Sequence, residues 1–372
     1  RSTKPGPVQI AMAAMRCKSP ALARARSLQY RLGSFSRRYS VQAAVCTKLG
    51  APLELQSNWS LPPLAPEQVR VRVAAAGVNF AEILQCRGEY QEKAEPPFVP
   101  GNEAAGEVSA VGYAASAAGF HVGDRVIAVC RGGTYASELQ TDRRQCLKLP
   151  AAAAGADLTE AAALLVSYGT AHLALQRARL VSGETVLVTA AAGSVGLAAV
   201  ELAKEMGAAR VIAACGSDAK LKVAQGRGAE PVGVNYAGLG AKEFRSKLRA
   251  VAGEQGIDVM VDMVGGDLLE AGIRSLNWNG RAVVVGFASG SIPSIPANVL
   301  LVKNVSVAGV YWGAHLTQDP ATLLASADTL IGWWLEGKLK PHVCERLPLA
   351  EANRAFELVQ SRNSTGKVVL MP

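Results

Sequence analysis

The alternation of apolar and polar positions divides the chain into two kinds of territory. Between residues 41 and 150, short β-type runs are punctuated by Gly and Pro, as in Val69-Arg70-Val71-Arg72-Val73, Glu107 to Val111 and Asp124 to Val129. Parallel βαβ units would interpose longer helical stretches, so this region reads as mostly β. An Ala-rich amphipathic stretch at 158–178 predicts a connecting helix. From 183 to 310 the pattern changes to strict strand–helix alternation, with strands predicted at 185–190, 210–215, 231–235, 257–263, 281–287 and 304–310. Such alternation predicts a parallel sheet wound on both faces, hence an α/β protein. A helix at 321–336 follows, and then short β-runs end in Lys367-Val368-Val369-Leu370. The simplest place for that last run is back in the first domain.

The junction after the first of these parallel strands carries candidate chemistry. The apolar strand Thr185–Ala190 runs into Ala191-Ala192-Gly193-Ser194-Val195-Gly196, and a helix from about Leu197 to Met206 is closed by Gly207. The two glycines permit a sharp turn close to a diphosphate, and the helix N-terminus presents free N–H groups to that anion. Strand before, helix after and further β-α-β units beyond are the context that a dinucleotide-binding Rossmann unit requires. Ala192 stands at the first glycine position of Gly-x-Ser-x-Gly, so Ser194 does not read as a hydrolase nucleophile.

The second parallel strand bears on which dinucleotide. It ends in Cys215-Gly216-Ser217, without the terminal carboxylate that accepts the ribose diol of NAD. Lys220 follows one helical turn later and Tyr236 lies after the third strand. Together they favour NADPH, the alternative being that Lys220 is a solvated surface charge; Asp218 is expected to point outward.

Composition adds little to this except at the N-terminus. The chain has 372 residues, 49% hydrophobic and 19% charged, enough for two domains of an ordinary globular protein. No apolar run is long enough to span a membrane. The net charge of +9 is misleading as a hint of nucleic-acid binding, because it sits in residues 1–40. That stretch holds nine basic residues and no acidic ones, and the basic residues of the body match the 30 acidic ones. An Arg- and Ser-bearing, acid-free leader is the composition of a mitochondrial transit peptide, with Met12 or Met15 as a start and processing near Arg37-Arg38-Tyr39-Ser40. A disordered basic tail is the alternative. The seven cysteines show no Cys-x-x-Cys spacing, which argues against a disulfide framework and a structural zinc cluster. The four histidines show no metal-pair spacing, and His172 reads as packing more readily than as an acid.

Three segments carry a family likeness: Gly77-Val78-Asn79-Phe80-Ala81-Glu82 through Arg87-Gly88-Glu89-Tyr90; Pro97-Phe98-Val99-Pro100-Gly101-Asn102-Glu103-Ala104-Ala105-Gly106-Glu107-Val108; and Phe120-His121-Val122-Gly123-Asp124-Arg125-Val126. With the 191–196 loop, these resemble the zinc-free quinone oxidoreductase, or zeta-crystallin-like, branch of the medium-chain dehydrogenase/reductase superfamily. The resemblance implies a GroES-like catalytic domain (41–165 and 313–372) enclosing a Rossmann domain (166–312), with the active site between them. Zinc-dependent relatives use Gly-His-Glu where this chain has Gly101-Asn102-Glu103, so the resemblance implies no metal.

The same resemblance assigns residues. Asn79 is the polar anchor near nicotinamide and acceptor, unless it is only a turn amide. Tyr90, eleven positions on, matches the catalytic tyrosine of mitochondrial enoyl thioester reductases; packing at the cleft mouth is its alternative role. Leu84 stands where many quinone reductases carry a tyrosine, which puts the quinone in doubt. Thr170 matches a position beside diphosphate and nicotinamide, Gly286 and Phe287 flank the cofactor, and Lys367 matches a basic residue near the adenosine phosphate. With Gly193, Ser194, Val195, Gly196, Gly216, Ser217, Lys220 and Tyr236, these form the expected site. Three activities remain open: reduction of quinones or α,β-unsaturated carbonyls, reduction of enoyl thioesters, and NADPH binding without turnover. A homodimer joined through the sheet edge at Val305–Val310 is implied by the family.

Overall fold

The computed structural model describes residues 39–372. Residues 1–38 of the basic leader lie outside the described residues, whereas Tyr39 and Ser40 already belong to a strand. That strand, β1 (Tyr39–Val45), pairs antiparallel with β2 (Glu54–Leu61). There follow β3 (Gln68–Val78), β4 (Glu103–Val111), β5 (Arg125–Val129), β6 (Glu138–Asp142) and β7 (Cys146–Lys148). In β3 the pleat turns Val69, Val71 and Val73 inward and leaves Arg70 and Arg72 on the outer side, as period-two alternation requires.

The parallel strands come next: β8 (Thr185–Thr189), β9 (Arg210–Cys215), β10 (Val234–Asn235), β11 (Val259–Asp262), β12 (Arg281–Val284) and β13 (Ser306–Gly309). They lie in the order β10-β9-β8-β11-β12-β13. All five residues of β8 are buried, the signature of a strand covered on both faces. The one leucine there, Leu187, is fully buried and contributes about 2 kcal/mol of burial. The order reverses at β8, and the crevice beyond the ends of β8 and β11 is where such sheets bind ligands.

The chain then forms β14 (Val343–Pro348) and β15 (Lys367–Met371), which pair in parallel. β15 also pairs antiparallel with β3, through Leu370↔Ala76 and Val368↔Val78, completing the sheet β14-β15-β3-β4-β5-β7 with β6 on β3. The last strand therefore sits beside the segment that leads to Asn79.

Three elements differ from the sequence reading, the first being the strand expected at 281–287, which ends at Val284 and leaves Gly286 and Phe287 in a loop. The connecting helix at 158–178 is broken into Leu158–Ala161 and Leu165–Arg177. No side chain caps the second piece; instead, buried Glu103 accepts the Val166 N–H at 3.0 Å. A tertiary carboxylate at the first turn compensates the freed donors. The third parallel strand is only two residues long, because residues 231–233 are irregular and Gly233 approaches Ala213 O too closely for a side chain. No helix among the described residues is long and apolar enough to cross a membrane.

Candidate active site

The 191–196 turn is built as an anion cradle. The helix Ser194–Glu205 starts directly after Gly193, with no side-chain cap, so the N–H groups of Ser194, Val195 and Gly196 are free of side-chain acceptors. A Cβ on Gly196 would stand 2.3 Å from Ala190 O, so only glycine lets the helix pack this tightly on the turn. A diphosphate fits the uncapped N-terminus.

At the end of β9, Gly216 is exposed, and a Cβ there would lie 3.6 Å from the Tyr236 ring. Ser217 caps the next helix by accepting the Lys220 N–H at 3.3 Å. Asp218 is exposed and accepts a hydrogen bond from Asn235 Nδ2 at 3.0 Å. The Lys220 ammonium donates to the Arg362 carbonyl. Burial and then the Arg362 charge lower the Lys220 pKa, although Cys215 opposes them, and burial pushes the Tyr236 hydroxyl up to about 12. Two cations and a phenol thus lie near one another at this corner, the groups that could hold a third phosphate. Arg362 escaped the sequence reading: its backbone is left-handed at φ 60° and its guanidinium donates to Ala288 O at 2.8 Å, and neither is visible without the fold.

Adjoining this corner, through Ala288, is the loop after β12. Gly286 is half-buried and Phe287 is 38% exposed. Phe287 packs so closely on Gly265 that a Cβ at Gly265 would meet its ring at 2.6 Å. Buried Asp262 holds this corner, accepting the Thr189 hydroxyl at 2.6 Å and the Gly265 N–H at 2.7 Å. Asp262 and Gly265 were also missed; the pattern Val259–Asp262 followed by two glycines was the available signal.

Lys367 is the clearest departure from expectation. It does not reach toward an adenosine phosphate, because it is 2% exposed and its ammonium is spent internally. It contacts Glu103 Oε1 at 2.5 Å, Asn79 Oδ1 at 2.5 Å and Ser167 Oγ at 3.2 Å. The reason is the register of β15, in which Val368 pairs with Val78 and Lys367 therefore comes beside Asn79.

Asn79 is correspondingly saturated. Its Nδ2 donates to Glu82 Oε1 at 3.0 Å and to Glu103 Oε1 at 3.3 Å, and its backbone N–H donates to Glu82 Oε2 at 2.9 Å. Asn79 is thus a helix-start amide locked in a charged cluster, and its Nδ2 protons are not free for an acceptor. Glu82 also accepts the Asn102 N–H at 3.1 Å, and burial raises its pKa to about 7. Thr170 is 8% exposed and donates its hydroxyl to Val166 O at 2.6 Å, so its hydroxyl serves its own helix. His172 is buried, bonded to Ser326 at 2.7 Å and edge-on to Trp333.

Tyr90 is half-buried, with its hydroxyl against that of Tyr311. Burial raises its pKa, so at neutral pH the phenol keeps its proton. Tyr311 donates to Glu92 Oε1 at 2.6 Å, Glu92 pairs with Arg131 at 3.3 Å, and Arg131 reaches Thr317 Oγ1 at 3.2 Å. This belt joins the first-sheet segments at 90–92 and 131 to the segment after β13.

The fold and this cleft define a medium-chain dehydrogenase/reductase. The family models for the alcohol dehydrogenase GroES-like domain and the zinc-binding dehydrogenase match residues 65–167 and 194–328. The rat quinone oxidoreductase-like protein 2 is 46% identical over 90% of this chain and 93% of its own length. Human quinone oxidoreductase is 32% identical over 87% of this chain and 95% of its own. The Thermus thermophilus quinone oxidoreductase, solved also in complex with NADPH, is 34% identical, with a TM-score of 0.75 over 89% of this chain and 100% of that one. The chain belongs to the quinone oxidoreductase family of this superfamily, and is an oxidoreductase.

The zinc named in one family model does not fit the residues at Gly101-Asn102-Glu103. Asn102 offers an amide in place of an imidazole, and the neighbouring Glu103 carboxylate is already paired with the Lys367 ammonium and the Val166 N–H. Among the described residues no cluster of three His, Cys, Asp or Glu is placed to hold a metal ion.

Proposed function

We propose that the chain is an NADPH-dependent reductase that passes hydride to a quinone or an α,β-unsaturated carbonyl without a metal ion. The observation that carries this reading is the pairing of the uncapped helix at Ser194 with the Lys220–Arg362 corner beside Gly216, which matches a diphosphate plus one extra phosphate. NADPH, the ligand in the complex of the Thermus thermophilus relative, supplies the hydride when bound. Phe287 and Gly286 wall the crevice. At the mouth Tyr90 keeps its proton; Tyr311 gives its own to Glu92, so the Tyr90 hydroxyl donates to Tyr311 and can exchange that partner for an acceptor oxygen as charge develops there.

Arg131, whose charge acts on Tyr90, is already paired with Glu92. That favours a neutral acceptor over an enoyl thioester carrying phosphates. The acid-free leader supports a mitochondrial location, checked by imaging the full chain with a C-terminal fluorescent tag.

The deciding experiment follows NADPH oxidation by the purified protein across ortho- and para-quinones, enones and enoyl thioesters. Turnover of a quinone or enone, with NADPH preferred over NADH, is the expected result. Faster turnover of a thioester would transfer the assignment to enoyl thioester reduction. Tight NADPH binding without any turnover would leave a binding protein.

A further inference from the structure

One ammonium ties together four separate segments around the crevice. Lys367 belongs to β15, Asn79 ends the β3 segment, Glu103 opens β4 and Ser167 lies in the first turn of the helix Leu165–Arg177. Lys367, Glu103 and Ser167 are each at most 2% exposed, so water does not screen these contacts. One residue earlier, the Gly366 N–H donates to Ala192 O at 2.8 Å, inside the dinucleotide turn. A water-sized cavity of about 10 Å³, lined by Ser167, Ser194, His342, Gly366 and Lys367, separates the ammonium from the start of the dinucleotide helix.

The chemistry of the partners fixes the Asn79 amide. An ammonium only donates and a carboxylate only accepts, so Oδ1 must face Lys367 while Nδ2 faces Glu82 and Glu103. Without Lys367, Oδ1 loses its donor, and the amide is held from one side alone, through Nδ2 by Glu82 and Glu103. Asn79 immediately precedes the helix Phe80–Arg87, which leads the chain to Tyr90.

We propose that Lys367 is a positioning residue for the reaction: its ammonium orients the Asn79 amide and sets the start of the Tyr90-bearing segment relative to the dinucleotide turn. This rests on the reading of that turn as the NADPH site. A displacement of about 1 Å at a reacting centre is enough to cost about a hundredfold in rate. A positioning role therefore appears in kcat, with dinucleotide affinity nearly unchanged because Lys367 touches no part of the phosphate corner.

Two variants test it. Lys367→Met/Glu103→Gln removes both charges together, which avoids leaving a buried carboxylate unpaired. Lys367→Arg keeps the charge opposite Glu103 but moves the point of donation. Each is measured for unfolding midpoint, NADPH affinity by fluorescence, kcat and KM with the acceptor the parent reduces fastest, and the side-chain amide signals of Asn79 after selective ¹⁵N labelling.

The expected result is NADPH affinity within about threefold of the parent in both variants. With it, kcat falls at least tenfold in the double variant and at least threefold in Lys367→Arg, KM changes less, and the Asn79 signals shift or exchange faster with water. A folded variant of either kind with parental kcat and unshifted Asn79 signals overturns the proposal and leaves the pair a structural tie. If the double variant does not fold, Lys367→Arg decides by the same criteria. Failure of the parent itself to bind NADPH would defeat the functional reading instead; the Asn79 signals, read without the dinucleotide, would still judge Lys367.

Discussion

At the scale of single residues, the same side-chain types do different work according to what reaches them. Tyr90 and Asn79 share one resemblance, yet the tyrosine proton is held by a single neighbouring hydroxyl whereas the Asn79 amide is bonded to a lysine and two glutamates. Tyr90→Phe is expected to lower turnover at least tenfold, the low side of acid–base contributions, with NADPH affinity unchanged in a fluorescence titration; parental turnover would remove Tyr90 from the mechanism. Glu82 makes a prediction in pH. Its folded pKa, about 7, lies above the ordinary 4.5, so the folded state binds the extra proton. Stability from this group is fully present below about pH 4.5 and is lost as pH rises through about 7. The loss is on the order of 3 kcal/mol. Denaturant melts across that window should show a flatter profile for Glu82→Gln than for the parent, and identical profiles would refute the assignment.

At the scale of elements, what was legible depended on how local the cause was. The parallel strands announced themselves because burial on both faces leaves continuous apolar runs, and the 191–196 turn because its glycines serve backbone geometry nearby. The break after Ala161 was invisible, since the cap on Val166 comes from Glu103 in another sheet. Lys367 was misassigned for a related reason: the residue type was evident, but its direction is set by the pairing of β15 with β3. Arg362 went unread because it sits in a turn whose meaning exists only once the tail folds back over Lys220 and Ala288. Arg362→Ala should therefore weaken NADPH binding about tenfold, the worth of a charge-assisted hydrogen bond, and leave NADH binding within about twofold in parallel titrations. Equal loss for both dinucleotides would place Arg362 outside the phosphate corner.

At the scale of the whole molecule, β13 ends the parallel sheet with one edge unpaired among the described strands. Beside it the helix Ala297–Lys303 exposes Leu301 at 80% and Val302 at 68%. An open edge flanked by apolar side chains favours pairing with a second copy, and we propose a homodimer through this face. Leu301→Glu should shift sedimentation from dimer toward monomer at micromolar concentration, whereas a parental monomer would dismiss the interface.

The closure of the first sheet by β15 also has a consequence for biosynthesis. A ribosome delivers β3 and β4 early, but their sheet gains β15 only after all six parallel strands have been translated. Until β15 has emerged, the nascent chain carries an unfinished strand edge on β3 and a Glu103 without its ammonium, the kind of exposed edge that favours misassembly. Loss of residues 367–371 would hold the protein in that state permanently.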